Sequence, residues 1–314
     1  MQARLTLRPR STSATVPVRR LGRAGAPLVV GGALALFLSI LLIFQLIPLV
    51  WSAYLSLHSW AGVGTPRWIG ISNYARVLSD PTIRIAFLNT GLFILLIVPL
   101  LTALSLLLAL LLNQVLLPLR GALRVLVFLP YITPAVVAAI IFTIVFNERF
   151  GQINALLQLV GLPAVNWLKS ATGARLVVTF VAIWQVLGYT TLITLGGLQT
   201  LPTELYEAAM LDGASAFQRF WTITVPLMSG TLAVVSIVSL LFVLNLFSPY
   251  FLFPATNGYG PERSAVTVSV VQYVYAFTNR RYGDAAAVGT LVGILGFLIA
   301  LIQLRLWRTS RGWS

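Results

Sequence analysis

The sequence predicts an all-α, polytopic membrane protein with six transmembrane helices and a cytoplasmic two-helix loop between the fourth and fifth. Three observations predict it. Of the 314 residues, 58% are hydrophobic and only 9% charged, against roughly 25% charged in an ordinary soluble domain. The mean hydropathy is +0.92. The apolar residues also gather into six runs, Leu28–Val50, Phe87–Leu112, Val125–Phe146, Leu176–Gln199, Gly230–Phe253 and Ala285–Leu304, none with a charged side chain. Each reaches the about 20 residues that a helix needs to cross about 30 Å of hydrocarbon. Helices are required because lipid offers backbone polar groups no partner, and alternating strands of a barrel do not occur in this pattern.

The formal net charge is +14, so nucleic acid has to be weighed as a partner; the charge distribution argues against it. Nine of the 21 basic residues flank the spans at the chain ends: Arg4, Arg8, Arg10, Arg19, Arg20 and Arg23 before the first, Arg305, Arg308 and Arg311 after the last. Six spans put both termini on one side, and the positive-inside rule makes that side the cytoplasm. Cytoplasmic segments then hold 12 basic residues and external ones 9. Cysteine is absent, which excludes disulfides and thiolate chemistry. The single histidine, His58, lacks the companions that a metal site needs. The first apolar run is too long for a cleaved signal peptide and reads as an uncleaved span.

In chain order, residues 1–27 are rich in Arg, Ser, Thr and Pro, the composition of a disordered tail near anionic lipid headgroups. Trp51, Tyr54 and Trp60 form an aromatic belt at the outer end of the first span. The next connection, RWIGISNYARVLSDP, predicts a turn and an amphipathic helix from about Ser72, ended by Asp80-Pro81. Arg120 and Arg124 mark a short cytoplasmic loop. Pro130 and Pro134 lie early in the third span; a packing kink is the simpler reading, and the other is an end that faces protein or water rather than lipid. The fourth span carries Gln185 and Tyr189, four apart on one helical face and therefore candidates for a pathway lining.

Residues 201–230, LPTELYEAAMLDGASAFQRFWTITVPLMSG, are helical in period but too polar for lipid. Pro202 ends the fourth span, and Thr203 is placed to cap a helix that carries Glu204 and Glu207 in its first turns. Leu205, Ala208 and Ala209 share a face, Asp212-Gly213 makes a bend, and Phe217, Phe220 and Trp221 mark a second short helix before Pro226 opens the fifth span. Helices that lie on lipid carry Lys and Arg. This first helix is acidic, which favours docking into a soluble cytoplasmic partner over lying on the membrane.

The same stretch resembles the EAA loop of binding-protein-dependent ABC transporter permeases. That pattern is Glu-Ala-Ala, three residues, Gly, nine residues, Ile, one residue, Leu-Pro; here it reads Glu207-Ala208-Ala209, Gly213, Ile223, Val225-Pro226, with Val for Leu as the one departure. WIGISNYARVL, FNERFGQINALL and YAFTNRRYGDAAAV resemble further segments of the carbohydrate-type members, so the likeness spans about residues 30–308. Asn257-Gly258-Tyr259-Gly260-Pro261 departs from their Gly-Gly-Pro.

The resemblance implies a maltose-type permease within the sugar and glycerol-phosphate class: a transmembrane domain over 28–308 with short tails at 1–27 and 309–314. It implies a second homologous permease subunit, an ATPase subunit dimer docked on the EAA loop, and an external substrate-binding protein. No cofactor belongs to this chain; ATP and Mg would be bound by the ATPase. The sequence agrees, since no phosphate-binding GxxxxGK[ST] loop exists and Lys169 is the only lysine. Glu207, Ala208, Ala209, Asp212 and Gly213 are implied at the coupling contact, with Ile223 and Pro226 leading movement into the fifth span. Spans four and five would line the pathway, where Gln185, Tyr189, Ser239 and Asn245 have the chemistry to meet sugar rings and hydroxyls. The cargo implied is a sugar or oligosaccharide, with glycerol-3-phosphate or another polyol as the alternative. A secondary carrier is disfavoured because no span holds Asp or Glu, and a membrane enzyme because no convergent acid, base or metal set is present.

Overall fold

The computed structural model describes residues 25–114 and 119–309. The expected tails therefore fall largely outside the described residues, although residues 25–27 are already helical and the last helix runs to Thr309. Contacts divide the chain into two units, Met1–Trp51 and Ser52–Ser314.

The described residues of the first unit belong to one apolar helix, α1, which covers residues 25–56, so that its last turn falls in the second unit, and whose only irregularity is a π turn at Leu42–Leu46. The turn precedes Pro48. A proline ring collides with the carbonyl four residues back in a regular α-helix, and here that residue, Phe44, sits at the centre of the widened turn.

The second unit then forms a two-residue hairpin, β1 His58–Ser59 paired antiparallel with β2 Arg67–Trp68. His58 is buried, with Nδ1 2.7 Å from the Tyr54 carbonyl oxygen and its ring edge-on to Trp68. Helix α2 (Ser72–Ser79) follows at the expected position. Asp80 then ends α2 and caps α3 (Pro81–Leu112), accepting a hydrogen bond from the Thr82 amide at 2.8 Å. This cap starts the helix at Pro81, six residues before the apolar run begins. Burial alone would raise the Asp80 carboxyl, but hydrogen bonds from the Tyr275 hydroxyl and the Thr82 amide outweigh it and hold it below the usual aspartate value.

The third run is not a continuous span. It is α4 (Arg120–Ile132) and α5 (Ala135–Val145), bent by 97° at Thr133-Pro134. Pro134 has no N–H to continue α4 and forces Thr133 into extended backbone, ψ 125. Pro130 remains inside α4, so Pro134 makes the break.

Among the described residues five helices are individually long and apolar enough to cross a membrane, and six crossings result if the bent pair is one span. A contact decides between the two counts. Arg76 of α2 touches Asp284, at the start of the last helix, at 3.0 Å. The two ends of the chain between them lie on one side, so an even number of crossings separates them, and the bent pair must count as one.

Beyond it lie α6 (Gln152–Leu159), α7 (Ala171–Leu198, capped by the Ser170 hydroxyl), α8 (Thr203–Leu211), α9 (Ala216–Leu244), α10 (Ser248–Leu252), α11 (Val268–Thr278) and α12 (Tyr282–Thr309). The second short helix and the fifth span prove to be one rod, α9. A π turn at Phe220–Thr224, closed by the Val225 amide on the Phe220 carbonyl, makes room for Pro226 as the first one does for Pro48. The fifth span thus begins well before Gly230 and ends at Leu244 rather than Phe253.

The packed centre joins Phe93, Ile97 and Leu101 of α3 to Val177, Val178 and Val181 of α7 and Leu240 of α9. Hydrocarbon gives helices no hydrophobic drive to associate, so small residues that allow close approach matter most. Ala138, Ala139, Ala174 and Ala182 are fully buried here. A second cluster, with Leu106, Leu112, Leu198, Met228 and Leu232, holds the end that carries α8.

At the other end, the 147–170 connection is braced by Asn154, only 2% exposed. Its amide donates to the carbonyls of Glu148 and Val165, each at 3.0 Å, and its oxygen accepts from the Val165 amide at 3.1 Å and the Trp167 indole at 2.8 Å. Asn154→Ala leaves two part-buried donors, the Val165 amide and the Trp167 indole N–H, without their acceptor, so unfolding in detergent is expected to show a loss of about 1–3 kcal/mol. An unchanged midpoint would disprove this role.

Candidate coupling surface and pathway

Helix α8 begins directly after Pro202, which occupies the cap position itself; Thr203 lies in the first turn and caps nothing. The fixed φ of proline suits a helix start, and the amides of the first turn find no side-chain cap here. Glu204 and Glu207 project from the helix and are exposed, as is Ala208, while Ala209 is half-buried. Among the described residues neither glutamate forms an ion pair.

The helix ends in a Schellman motif that explains Gly213. Asp212 is the C-cap, the Gly213 amide bonds to Met210 O at 3.1 Å, and the Ala214 amide bonds to Ala209 O at 2.9 Å. This geometry needs a left-handed residue between cap and return, and Gly213 has φ +77. The second alanine of the motif, Ala209, supplies the accepting carbonyl. The chain then restarts at Ser215, whose hydroxyl and backbone exchange hydrogen bonds with Gln218 in a capping box. The S-x-x-Q spacing was a readable signal for it.

Tyr206 and Thr224, whose hydroxyls lie 3.0 Å apart, tie α8 to the π turn of α9. Ile223 is half-buried in that turn, and Pro226 is exposed just after it. Around this frame, large apolar side chains stand in the open: Leu211 is 90% exposed and Phe217 73%, with Met210 and Trp221 about half exposed. An acidic helix beside an uncovered apolar rim is an interface composition.

The pathway candidates divide into two groups. Gln185 and Tyr189 do share a face, and both meet the break between α4 and α5. The Gln185 amide donates to Thr133 O at 3.2 Å, and Tyr189 stacks on Tyr131 with centroids 4.6 Å apart and planes 10° from parallel. The broken backbone thus has a carbonyl satisfied from α7, as irregular backbone in a membrane requires. Tyr131 was not singled out in the sequence; its signal is its place between two prolines. Ser239 is fully buried and donates to Val235 O at 2.8 Å, within its own helix. Asn245 caps the end of α9, exposed, donating to Leu241 O at 2.8 Å.

A family model described as "Binding-protein-dependent transport system inner membrane component" matches residues 102–309, which include α8 and the whole of α9. The chain belongs to this family. It is 31% identical over 275 residues to the trehalose/maltose transport system permease protein MalF of Thermococcus litoralis, covering 87% of this chain and 92% of that protein. To the sulfoquinovosyl glycerol permease SmoG of Agrobacterium fabrum it is 31% identical, covering 88% of each. With the maltose/maltodextrin permease MalF of Escherichia coli K12 the identity is 34%, over 76% of this chain and 49% of that longer one. Among solved structures, a bacterial alginate ABC transporter in complex with its pentasaccharide-bound periplasmic protein has a chain of the same fold, TM-score 0.78, at 22% identity and covering 91% of this chain and 96% of that one. This inner membrane component is a multi-pass permease, and its transport system depends on a binding protein.

Proposed function

We propose that this permease forms one half of the membrane pathway of an importer for a sugar or oligosaccharide. A second homologous permease supplies the other half, an external binding protein delivers the cargo, and a separate ATPase pair, which binds the ATP and Mg, supplies the work. Both termini lie in the cytoplasm. The observation that carries this reading is the uncovered α8 surface. Glu207, Ala208 and Ala209 offer an acidic, close-approach face, Asp212 and Gly213 fix its end, and Ile223 and Pro226 begin the rod into which it leads. Closure of the ATPase pair would displace α8 and, through the Tyr206–Thr224 tie, turn α9, switching the pathway between two states. Gln185 and Tyr189, with Asn245 on the neighbouring helix, are the pathway residues proposed for this half, whereas the Ser239 hydroxyl is fully buried and bonded within its own helix. The saccharide cargo is supported by the maltose, trehalose and sulfoquinovosyl glycerol names of the relatives.

The test is uptake by proteoliposomes holding the full complex, after calorimetric titration of the binding protein with a panel of saccharides and glycerol-3-phosphate. Uptake of a bound saccharide that needs both ATP and the binding protein is expected. Uptake of glycerol-3-phosphate with none of any saccharide would overturn the cargo assignment.

A further inference from the structure

A polar cavity lies at the end of the second unit opposite α8. It holds about 370 Å³ and is lined by Arg76, Arg280 and Arg281 against a single acid, Asp284, with Asn73 and Trp60 in its wall. Asp284 is buried and already paired: Arg76 Nη2 lies 3.0 Å from one carboxylate oxygen and Arg281 Nε 2.6 Å from the other. Both arginines are positioned. Arg76 donates to the Asn73 side chain, whose amide is itself held by the carbonyls of Ser56 and His58 at 2.7 and 2.9 Å. The Arg281 guanidinium sits 4.9 Å over the Tyr275 ring. Three cations against one carboxylate leave the cavity net positive by two, and among the described residues Arg280 forms no ion pair.

The backbone at Arg280 makes its side chain conspicuous. Helix α11 closes with the Arg281 amide bonded back to Tyr275 O at 2.8 Å, and this places Arg280 in the left-handed region, φ 54. Glycine takes that position without penalty, whereas an L-residue is strained there. A long cation thus stands where folding favours glycine, beside two arginines that other groups hold in place. The lining comes from the hairpin, the polar helix α2, the turn between α11 and α12 and the first turn of α12, beyond the apolar runs, so the cavity opens toward water rather than acyl chains.

We propose that this cavity receives an acidic side chain of the external binding protein, its carboxylate bonded to Arg280 and to the free guanidinium ends of Arg281. It rests on the reading that a binding protein delivers the cargo. Guanidinium and carboxylate match in paired, charge-assisted hydrogen bonds, and a cationic seat of this kind sets orientation and encounter rate.

The test uses the full transporter in nanodiscs of zwitterionic lipid, with the purified binding protein of the same system. Arg280→Glu is expected to raise Kd about tenfold at low salt, with the difference shrinking in 0.5 M salt on the order of the screening expected there. Arg280→Gly, which relieves the backbone, should unfold no earlier than wild type and still bind more weakly. Arg149→Glu, the same reversal on the 147–170 connection, should bind as wild type does. Amidating the binding protein's carboxyls should remove the difference between wild type and Arg280→Glu. Unchanged affinity in Arg280→Glu overturns the proposal, as does a difference that survives amidation. An effect seen only with anionic lipid would assign the cavity to a lipid headgroup instead. If wild-type transporter binds no external protein at all, the underlying reading fails along with it.

Discussion

Glu207→Arg is expected to cut uptake by more than about tenfold and to strip the ATPase from the purified complex, while leaving thermal unfolding of the permease unchanged. Glu207 is exposed and has no ion pair within the described chain, so its reversal removes nothing internal. At an interface that meets it with basic groups, however, like charges in contact cost several kcal/mol. Gly213→Val tests the same surface through the backbone. A Cβ there meets no atom within 4 Å, yet φ is +77, so the expected defect is about 1–2 kcal/mol of strain in the Schellman return and a displaced α8. Uptake should fall while the rest of the fold holds. Wild-type uptake and full ATPase retention in both variants would sink the docking assignment.

Gly188→Val should have the opposite signature, a loss of the fold itself. Glycine lets α7 pass so close to α4 that an added Cβ would lie 2.0 Å from the Val127 carbonyl oxygen and 2.9 Å from the Phe128 Cα. Backbone cannot yield as a flexible side chain does, so the crossing must open, at about 3 kcal/mol or more. The Tyr131–Tyr189 stack bridges the same two helices and should be lost with it. Thermal unfolding in detergent measures the first effect and aromatic circular dichroism the second. A variant with wild-type midpoint and spectrum would show that α4 is not held where Gly188 puts it.

How much of this was legible depended on which forces the residues report. Runs of apolar residues report burial in lipid directly, and all six located crossing segments. The motif around Glu207 and Gly213 was equally open, since a left-handed helix ending selects glycine on local grounds. The outcome at each proline was not, because it depends on what surrounds the ring. Pro134 breaks a helix by 97°, Pro130 does not, and Pro226 is absorbed by a π turn. Whether a freed carbonyl finds a partner, as Thr133 finds Gln185, is decided by a residue 52 positions away. The contact of Arg76 with Asp284 is more distant still, and no local pattern announced it.

The π turn at Phe220–Thr224 has a consequence for orientation. A π turn carries roughly one residue more than an α turn, so the side chains beyond it are advanced by about 100° around the axis relative to a regular helix. Phe217 and the residues of α9 past Pro226 therefore occupy different angular phases from those a helical wheel assigns, and so a single wheel drawn through Ala216–Leu244 misplaces one half of the rod. Deleting one residue within the turn would rewind it, rotating the Phe217 surface by about that angle against a span whose own packing is unchanged.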